Sequence, residues 1–348
     1  MRPPVADLLA ARLTAQRLTG DKSDDVLETT RHLLAVQGQD PRGARLALRA
    51  RTAVTHVSEI DRALTEERSL VITWVNRGTL HLIAAEDEPL LHMLTTPQLR
   101  RGNERRLEQE GVSPAGAERG VAAIVRALGD DGPLTRAQIR AVLERANVRT
   151  AGQALVHILF KATLDGLIIR GPMIDGHHAF VLVADWLGVR PELDRDLALA
   201  ELARRYFAGH GPADERDLSR WAQLPLRDVR VGLAAIAAEL EQRPDGLLDL
   251  PSRVAADLPP PRLLGPYDPV LLGWCSREFV LGDAQGIVTG NGLFRPFALV
   301  EGRAAGIWAM PRGRVELSLW DEPSDEVRAA LARDAAEVEA FMDLGRRR

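Results

Sequence analysis

The sequence predicts an α+β chain in which a helix, helix, hairpin unit recurs before a small C-terminal β-rich domain. Three observations carry this. Gly132-Pro133-Leu134-Thr135-Arg136-Ala137-Gln138-Ile139 and Gly211-Pro212-Ala213-Asp214-Glu215-Arg216-Asp217-Leu218 open in the same way, each as the start of a helix. Each is followed by a second run with apolar residues at helical spacing. From about Leu263 the periodicity changes to short alternating segments such as Val315, Leu317 and Leu319 interleaved with Glu316 and Ser318. The chain has 348 residues, of which 45% are hydrophobic, enough for two or three compact units with cores of their own.

In the first of the two similar segments, Thr135 and Gln138 have capping-box spacing, with Leu134 and Ile139 placed for a hydrophobic staple. A second helix is predicted from Gly152 to Leu164, burying Leu155, Ile158, Leu159 and Ala162 and stopping at Asp165-Gly166. Leu167 to Arg170 and Ala179 to Val183 read as strands, with Asp175-Gly176 as the turn of the hairpin. That order is the order of a winged helix-turn-helix. In the second segment Asp214 caps a helix, and another follows Pro225 with Val229, Leu233, Ile236 and Leu240 on one face. An earlier copy fits helices near 25 to 37, 41 to 51 and 58 to 66 ahead of strands Leu70 to Trp74 and Thr79 to Ile83. The expected division is therefore 1–115, 116–195 and 196–262 for three units, then 263–348 for the β-domain and a closing helix from Ser324 to Leu344.

Composition narrows the function classes. The single cysteine, Cys275, can form neither an intramolecular disulfide nor a thiolate cluster, and no charged-then-apolar leader opens the chain, so a reducing cytoplasm is expected. No apolar run approaches the ~20 residues a membrane helix needs. The net charge of −4 requires any phosphate-binding surface to be local. Candidates are Arg42, Arg45 and Arg49, then Arg100, Arg101, Arg105 and Arg106, and the terminal Arg346, Arg347 and Arg348, although most such clusters are solvated faces. His157, His177 and His178 have no carboxylate or thiolate at ligand spacing, so no metal or other cofactor is predicted.

The tripeptide Gln37-Gly38-Gln39 stands out. The helix through Leu33, Leu34 and Val36 is expected to break at Gly38, and Asp40-Pro41 to start the next, with Asp40 as cap and Pro41 at its first position. Residues two apart point the same way in extended backbone, so a local break aims both carboxamides at one target. Arg42, Arg45 and Arg49, at i, i+3 and i+7, make a basic stripe beside them. Taken as residues alone, two glutamines around a glycine read as polar loop residues before they read as a site. Asp40 is the competing catalyst, as the one carboxylate in the motif.

The stretch Leu33-Leu34-Ala35-Val36-Gln37-Gly38-Gln39-Asp40-Pro41-Arg42-Gly43-Ala44-Arg45 closely resembles the signature of the AlkZ-type winged-helix DNA glycosylases. Trp74-Val75-Asn76-Arg77-Gly78-Thr79-Leu80-His81-Leu82 resembles that family's first wing. Gly265-Pro266-Tyr267-Asp268-Pro269-Val270-Leu271-Leu272-Gly273 and Phe294-Arg295-Pro296 resemble its C-terminal segments, so the resemblance spans essentially the whole chain. It implies tandem winged helices forming a concave surface for double-stranded DNA, with Gln37 and Gln39 as the catalytic pair. Gly38 departs from the family, where the middle residue is usually aliphatic. Retaining both glutamines places the chain nearer the crosslink-unhooking, self-resistance branch.

Two amides suffice for one kind of substrate. Hydrolysis of a glycosidic bond passes through an oxocarbenium-like state, and ordinary glycosidases use one carboxyl group to protonate the leaving group and another to assist at the sugar. A base that is already cationic, such as N7-alkylguanine, needs no proton to leave. Placing water and stabilising charge at the anomeric carbon remain, and fixed amide dipoles do both. The expected activity is monofunctional excision of N7-alkylated purines, including bulky or crosslinked adducts, with no lysine in the motif for lyase chemistry. Arg77, Asn291 in the turn Thr289-Gly290-Asn291-Gly292, and Arg295 join the candidate DNA contacts, although that turn also reads as a plain hairpin. His81 and Trp74 read as packing residues. No protein partner is expected. A winged-helix regulator or damage-binding protein without catalysis is the alternative.

Overall fold

A computed structural model describes residues 4–20, 22–251 and 253–343, so Arg346, Arg347, Arg348 and the expected end of the closing helix at Leu344 lie outside the described residues. The chain forms two compact units, one from the residues up to Ile60 and from Arg195 onward, the other from Asp61–Asp194.

The first unit opens with α1 (Pro4–Ala15), α2 (Val26–Leu33), a two-residue strand β1 (Val36–Gln37) and α3 (Pro41–Arg49). Asp25 starts α2 by accepting from the Leu27 amide at 2.7 Å. This helix stops at Leu33, earlier than the expected break at Gly38. Leu34 adopts a positive φ of 62°, and its amide turns back to the Arg31 carbonyl. Such a conformation costs about 1–3 kcal/mol. Leu34 is also fully buried, and burying a leucine is worth about 1.5–3 kcal/mol, which offsets the strain without a glycine.

The second unit follows α4 (Ser58–Thr65). It contains the hairpin β2 (Leu70–Val75) and β3 (Thr79–Ala84), then α5 (Glu88–Thr95), α6 (Arg100–Gln109), α7 (Pro114–Asp131), β4 (Leu134–Thr135), α8 (Arg136–Arg145), α9 (Ala154–Leu164), the hairpin β5 (Ile168–Ile174) and β6 (His177–Leu182), and α10 (Val183–Leu187). Its strands pair in the order β3-β2-β5-β6-β4. The helix, helix, hairpin order is present in α8, α9, β5 and β6. Thr135 and Gln138 form the capping box, and Asp175-Gly176 turns the hairpin with φ of 48° and 75°. The predicted apolar face of α9 is the buried one, with Leu155, Ile158, Leu159 and Ala162 in one core with α7 and α8.

The chain then completes the first unit. Helices α11 (Arg195–His210), α12 (Glu215–Ala222) and α13 (Leu226–Ala235) precede a minimal hairpin, β7 (Glu241–Gln242) and β8 (Leu248–Asp249). Asp214 caps α12 in a reciprocal box with Asp217. Beyond it, β9 (Arg262–Leu264), the short α14 (Glu278–Leu281), β10 (Phe297–Val300), β11 (Arg303–Ala309) and β12 (Glu316–Leu319) precede α15 (Asp325–Met342). The strands β12-β11-β10-β9 make one antiparallel sheet. The protein is thus mixed helix and sheet, as expected. Among the described residues no helix is long and apolar enough to cross a membrane.

Candidate active site

Gln37 ends β1 and Gln39 lies two residues on, with extended backbone leading into Asp40 (φ −99°, ψ 116°). The two side chains meet, Gln37 Nε2 donating to Gln39 Oε1 at 3.3 Å. Their environments differ. Gln37 is 6% exposed, while Gln39 opens to solvent. The pair therefore joins an amide held by the protein to one that reaches outward.

Asp40 is occupied as a cap. Its Oδ1 accepts from the Arg42 amide at 2.8 Å and the Gly43 amide at 2.9 Å, with Pro41 at the first helical position. Burial, then the nearby Asp40 charge, raises the phenol pKa of Tyr267.

The segment Gly265–Gly273 clamps α3 in place. A Cβ on Gly43 would lie 2.3 Å from the Pro266 carbonyl oxygen, and one on Gly265 would lie 2.8 Å from Leu46 Cβ, so helix and loop touch backbone to backbone. Just past α3, Arg51 grips Asp268 through both nitrogens, at 3.0 and 2.7 Å, with neither side chain exposed. The same guanidinium donates to the carbonyls of Gln16 and Ala47. Gly43, Arg51 and Asp268 support the site and were absent from the sequence-derived candidates. Their only sequence signal is membership of segments singled out for other reasons.

The expected basic stripe on α3 does not present one solvent face. Arg42 is exposed. Arg45 is 5% exposed and donates to the Pro41 carbonyl at 2.9 Å. Arg49, also 5% exposed, pairs with Asp334 at 2.8 Å and Glu337 at 3.0 Å, tying α3 to α15. Helical spacing put the three on adjoining positions correctly, but most of that face meets protein. Arg42 and the exposed Arg295 flank a cavity of about 440 Å³ lined by Leu46, Pro266, Ile307 and Trp308.

Asn291 is exposed at a hairpin turn closed by the Thr289 amide to the Leu293 carbonyl at 2.9 Å, and its Oδ1 accepts from Thr289 Oγ1. In the second unit, Arg77 occupies the β2–β3 turn between Asn76 and Gly78, both at positive φ. In α6, Arg101 and Arg105 are exposed, whereas Arg100 donates to the Leu164 carbonyl and Arg106 to Gln109.

Trp74 and His81 are packing residues. Trp74 is 8% exposed with its ring 5.5 Å from that of Phe160. His81 is 1% exposed, and burial together with the Arg77 charge lowers its pKa to about 3, so it is neutral at physiological pH. His157 Nδ1 lies 2.8 Å from Asn103 Oδ1. Among the described residues, no group of three or more His, Cys, Asp and Glu is placed to hold a metal ion.

The sequence profile of the family described as "DNA glycosylase AlkZ-like" matches residues 30–341. A curated relative from Streptomyces sahachiroi, described as an interstrand DNA cross-link repair glycosylase, is 25% identical over 370 aligned positions, covering 97% of this chain and 96% of its own. The solved structure of the Streptomyces sahachiroi DNA glycosylase AlkZ superposes with a TM-score of 0.76 over 98% of this chain and 97% of its own, at 22% identity, a likeness of fold.

Proposed function

The chain belongs to the AlkZ-like DNA glycosylases, and from that membership we propose that Gln37 and Gln39 are its catalytic pair, hydrolysing the N-glycosidic bond of cationic N7-alkylated purines in double-stranded DNA. The observation that carries this is the contact between the two amides, one buried and one exposed, directly ahead of a carboxylate already committed to capping α3. Membership also decides between the two readings of the sequence in favour of an enzyme over a non-catalytic regulator.

The roles follow from the asymmetry. Gln37, held by its surroundings, aims Gln39, whose exposed amide faces the sugar and the attacking water. Amides neither donate a proton to a departing neutral base nor take one from water, so the rate comes from placement and dipole stabilisation of the oxocarbenium. The positive charge of an N7-alkylated base supplies the leaving-group activation that the site lacks. Product is an abasic site, with no Schiff-base step.

The relative's description as a cross-link repair glycosylase supports extending the substrate to bulky adducts and interstrand crosslinks, with a role in resistance to a genotoxin. The cavity beside Arg42 and Arg295 gives an apolar adduct room. We assign phosphate or groove contacts to Arg42, Arg77, Asn291 and Arg295, and a supporting role to Arg45 and Arg49. The repeated helix, helix, hairpin order supports a tandem winged-helix architecture with units at 1–115, 116–195 and 196–262 and a β-rich unit at 263–348, presenting a concave DNA surface. The setting is the cytoplasm.

The test is release of 7-methylguanine compared with uracil or hypoxanthine from otherwise identical duplexes. Fast release of the alkylated base and none of the neutral ones is expected. Efficient excision of the neutral bases would overturn the reading, because it requires an acid the pair does not contain.

A further inference from the structure

Arg170, on β5, occupies a place that the packing of the second unit does not explain. Its register partners are Ile72 on β2 and Phe180 on β6, and Phe180 in turn stands opposite Leu134 on β4. Directly paired antiparallel residues share a face of the sheet. Here Phe180 and Leu134 belong to the core made by α7, α8 and α9, so an arginine stands on an apolar face. Its guanidinium carbon lies 5.1 Å from the centre of the Trp74 ring and 5.0 Å from that of Phe180.

Two aromatic faces hold the plane of a guanidinium but satisfy none of its five N–H donors. Among the described residues the Arg170 guanidinium has no hydrogen-bond or ion-pair partner, and its Nε is shielded from solvent without an acceptor. The one charge that perturbs it is another cation, the exposed Arg136 at the start of α8. Burial, then Arg136, lowers the Arg170 pKa to about 10, which leaves it charged at neutral pH. A cation in apolar surroundings is normally paired. Three other arginines of this protein follow that rule, Arg51 with Asp268, Arg49 with Asp334 and Arg190 with Glu88, while Arg262 and Arg277 donate instead to backbone carbonyls.

We propose that Arg170, pre-oriented between Trp74 and Phe180 and assisted by Arg136, is the docking point for a phosphodiester group of the substrate DNA. The fork of a guanidinium matches two phosphate oxygens, and its aromatic clamp removes the rotamer freedom that an arginine otherwise loses on binding. The vacant donors, the second cation and the absence of a carboxylate partner among the described residues all call for an anion from outside. The inference rests on the family's action on DNA and is independent of the glutamine pair.

The experiment measures the affinity of the full-length protein for a short fluorescent duplex between about 50 and 200 mM salt. Wild type is compared with Arg170→Met, Arg170→Lys, Arg136→Gln and Gln39→Ala. Loss of one phosphate contact reduces the slope of log K against log salt by about 0.9, whatever the duplex sequence. That reduction is expected for Arg170→Met and Arg136→Gln. Arg170→Lys keeps the charge and the slope while binding more weakly. The DNA-free Arg170→Met protein should unfold at the wild-type temperature or above it, because an unpaired cation has been taken out of apolar surroundings. An unchanged slope in Arg170→Met overturns the proposal and leaves Arg170 as a packing residue. If the methionine variant fails to fold, Arg170→Gln is read in its place by the same criterion. Gln39→Ala should bind with the wild-type slope; retention of its base excision would sink the glutamine reading and leave this one standing.

Discussion

Arg51 and Asp268, more than two hundred residues apart in sequence, form a two-pronged ion pair with no exposure on either side chain. It binds the end of α3, the helix that the Gln37–Gln39 motif leads into, to the Gly265–Gly273 segment. Asp268 Oδ1 also accepts from the Val270 amide, so loop and helix are held by one carboxylate. Removing one partner of such a pair leaves an uncompensated buried charge. Asp268→Ala is expected to lower stability by about 3–5 kcal/mol, read as a fall in the midpoint of urea unfolding. A shift below about 1 kcal/mol would mean that water reaches Arg51.

Gly43→Ala sets two effects against each other. Alanine is the better helix former by about 1 kcal/mol. The new methyl, however, would lie 2.3 Å from the Pro266 carbonyl oxygen, a backbone atom that moves only with its loop. Overpacking of this kind costs about 1–3 kcal/mol, so net destabilisation is expected, together with slower excision as α3 shifts the glutamines. Circular-dichroism melts and single-turnover rates check both.

The two glutamines are expected to respond differently. Gln39→Ala should lower the single-turnover rate on an N7-methylguanine duplex by about 100-fold or more, the loss typical of one preorganised dipole, with folding unchanged because the side chain is exposed. Gln37→Ala should lower the rate and also cost about 1–3 kcal/mol, since partners of a buried amide are left unsatisfied. Equal stability of the two variants would contradict the asymmetry.

Arg42 and Arg49 are predicted to separate cleanly despite their helical spacing. Arg42→Gln should weaken DNA binding and reduce its salt slope by about 0.9 without changing the unfolding midpoint. Arg49→Gln should do the reverse at first order, because its charge is already taken by Asp334 and Glu337. Parallel fluorescence anisotropy and thermal unfolding distinguish the two.

Acid should destabilise the fold below pH 6.5. Burial lowers the pKa of His81 to about 3 and that of His32 to about 4, each from 6.5. Between the two values the unfolded chain binds a proton that the folded chain refuses, so stability falls as pH drops. Each histidine contributes a slope of about 1.4 kcal/mol per pH unit across its window. Above pH 6.5 neither state is protonated at these positions and their contribution to the pH dependence vanishes. Urea midpoints from pH 7 to pH 4 test this, and His81→Phe should flatten the profile if the variant folds.

Several features that depend on a few neighbouring residues were legible in the sequence. Asp40 caps α3 with Pro41 behind it, Thr135 pairs with Gln138, Asp214 caps α12, and Asp175-Gly176 turns its hairpin. These follow from hydrogen-bond needs within one turn of helix or one tight loop, which the local sequence alone satisfies. The juxtaposition of Gln37 and Gln39 is of the same kind, a consequence of extended backbone around one glycine. The long helix α7 was not anticipated, although Ser113 caps it with Pro114 at its first position and Gly132 follows its end.

Tertiary structure decided everything that needed a distant partner. Helical periodicity placed Arg42, Arg45 and Arg49 on adjoining positions, yet only packing determined that Asp334 and Glu337 stand against the last of them. Leu34, and no glycine, ends α2, because a core position offsets its backbone strain. Asp268 becomes the anchor of α3 only once Arg51 is folded against it. Spacing along a chain determines which residues share a face, whereas the energy of that face is set by what the rest of the molecule brings to it.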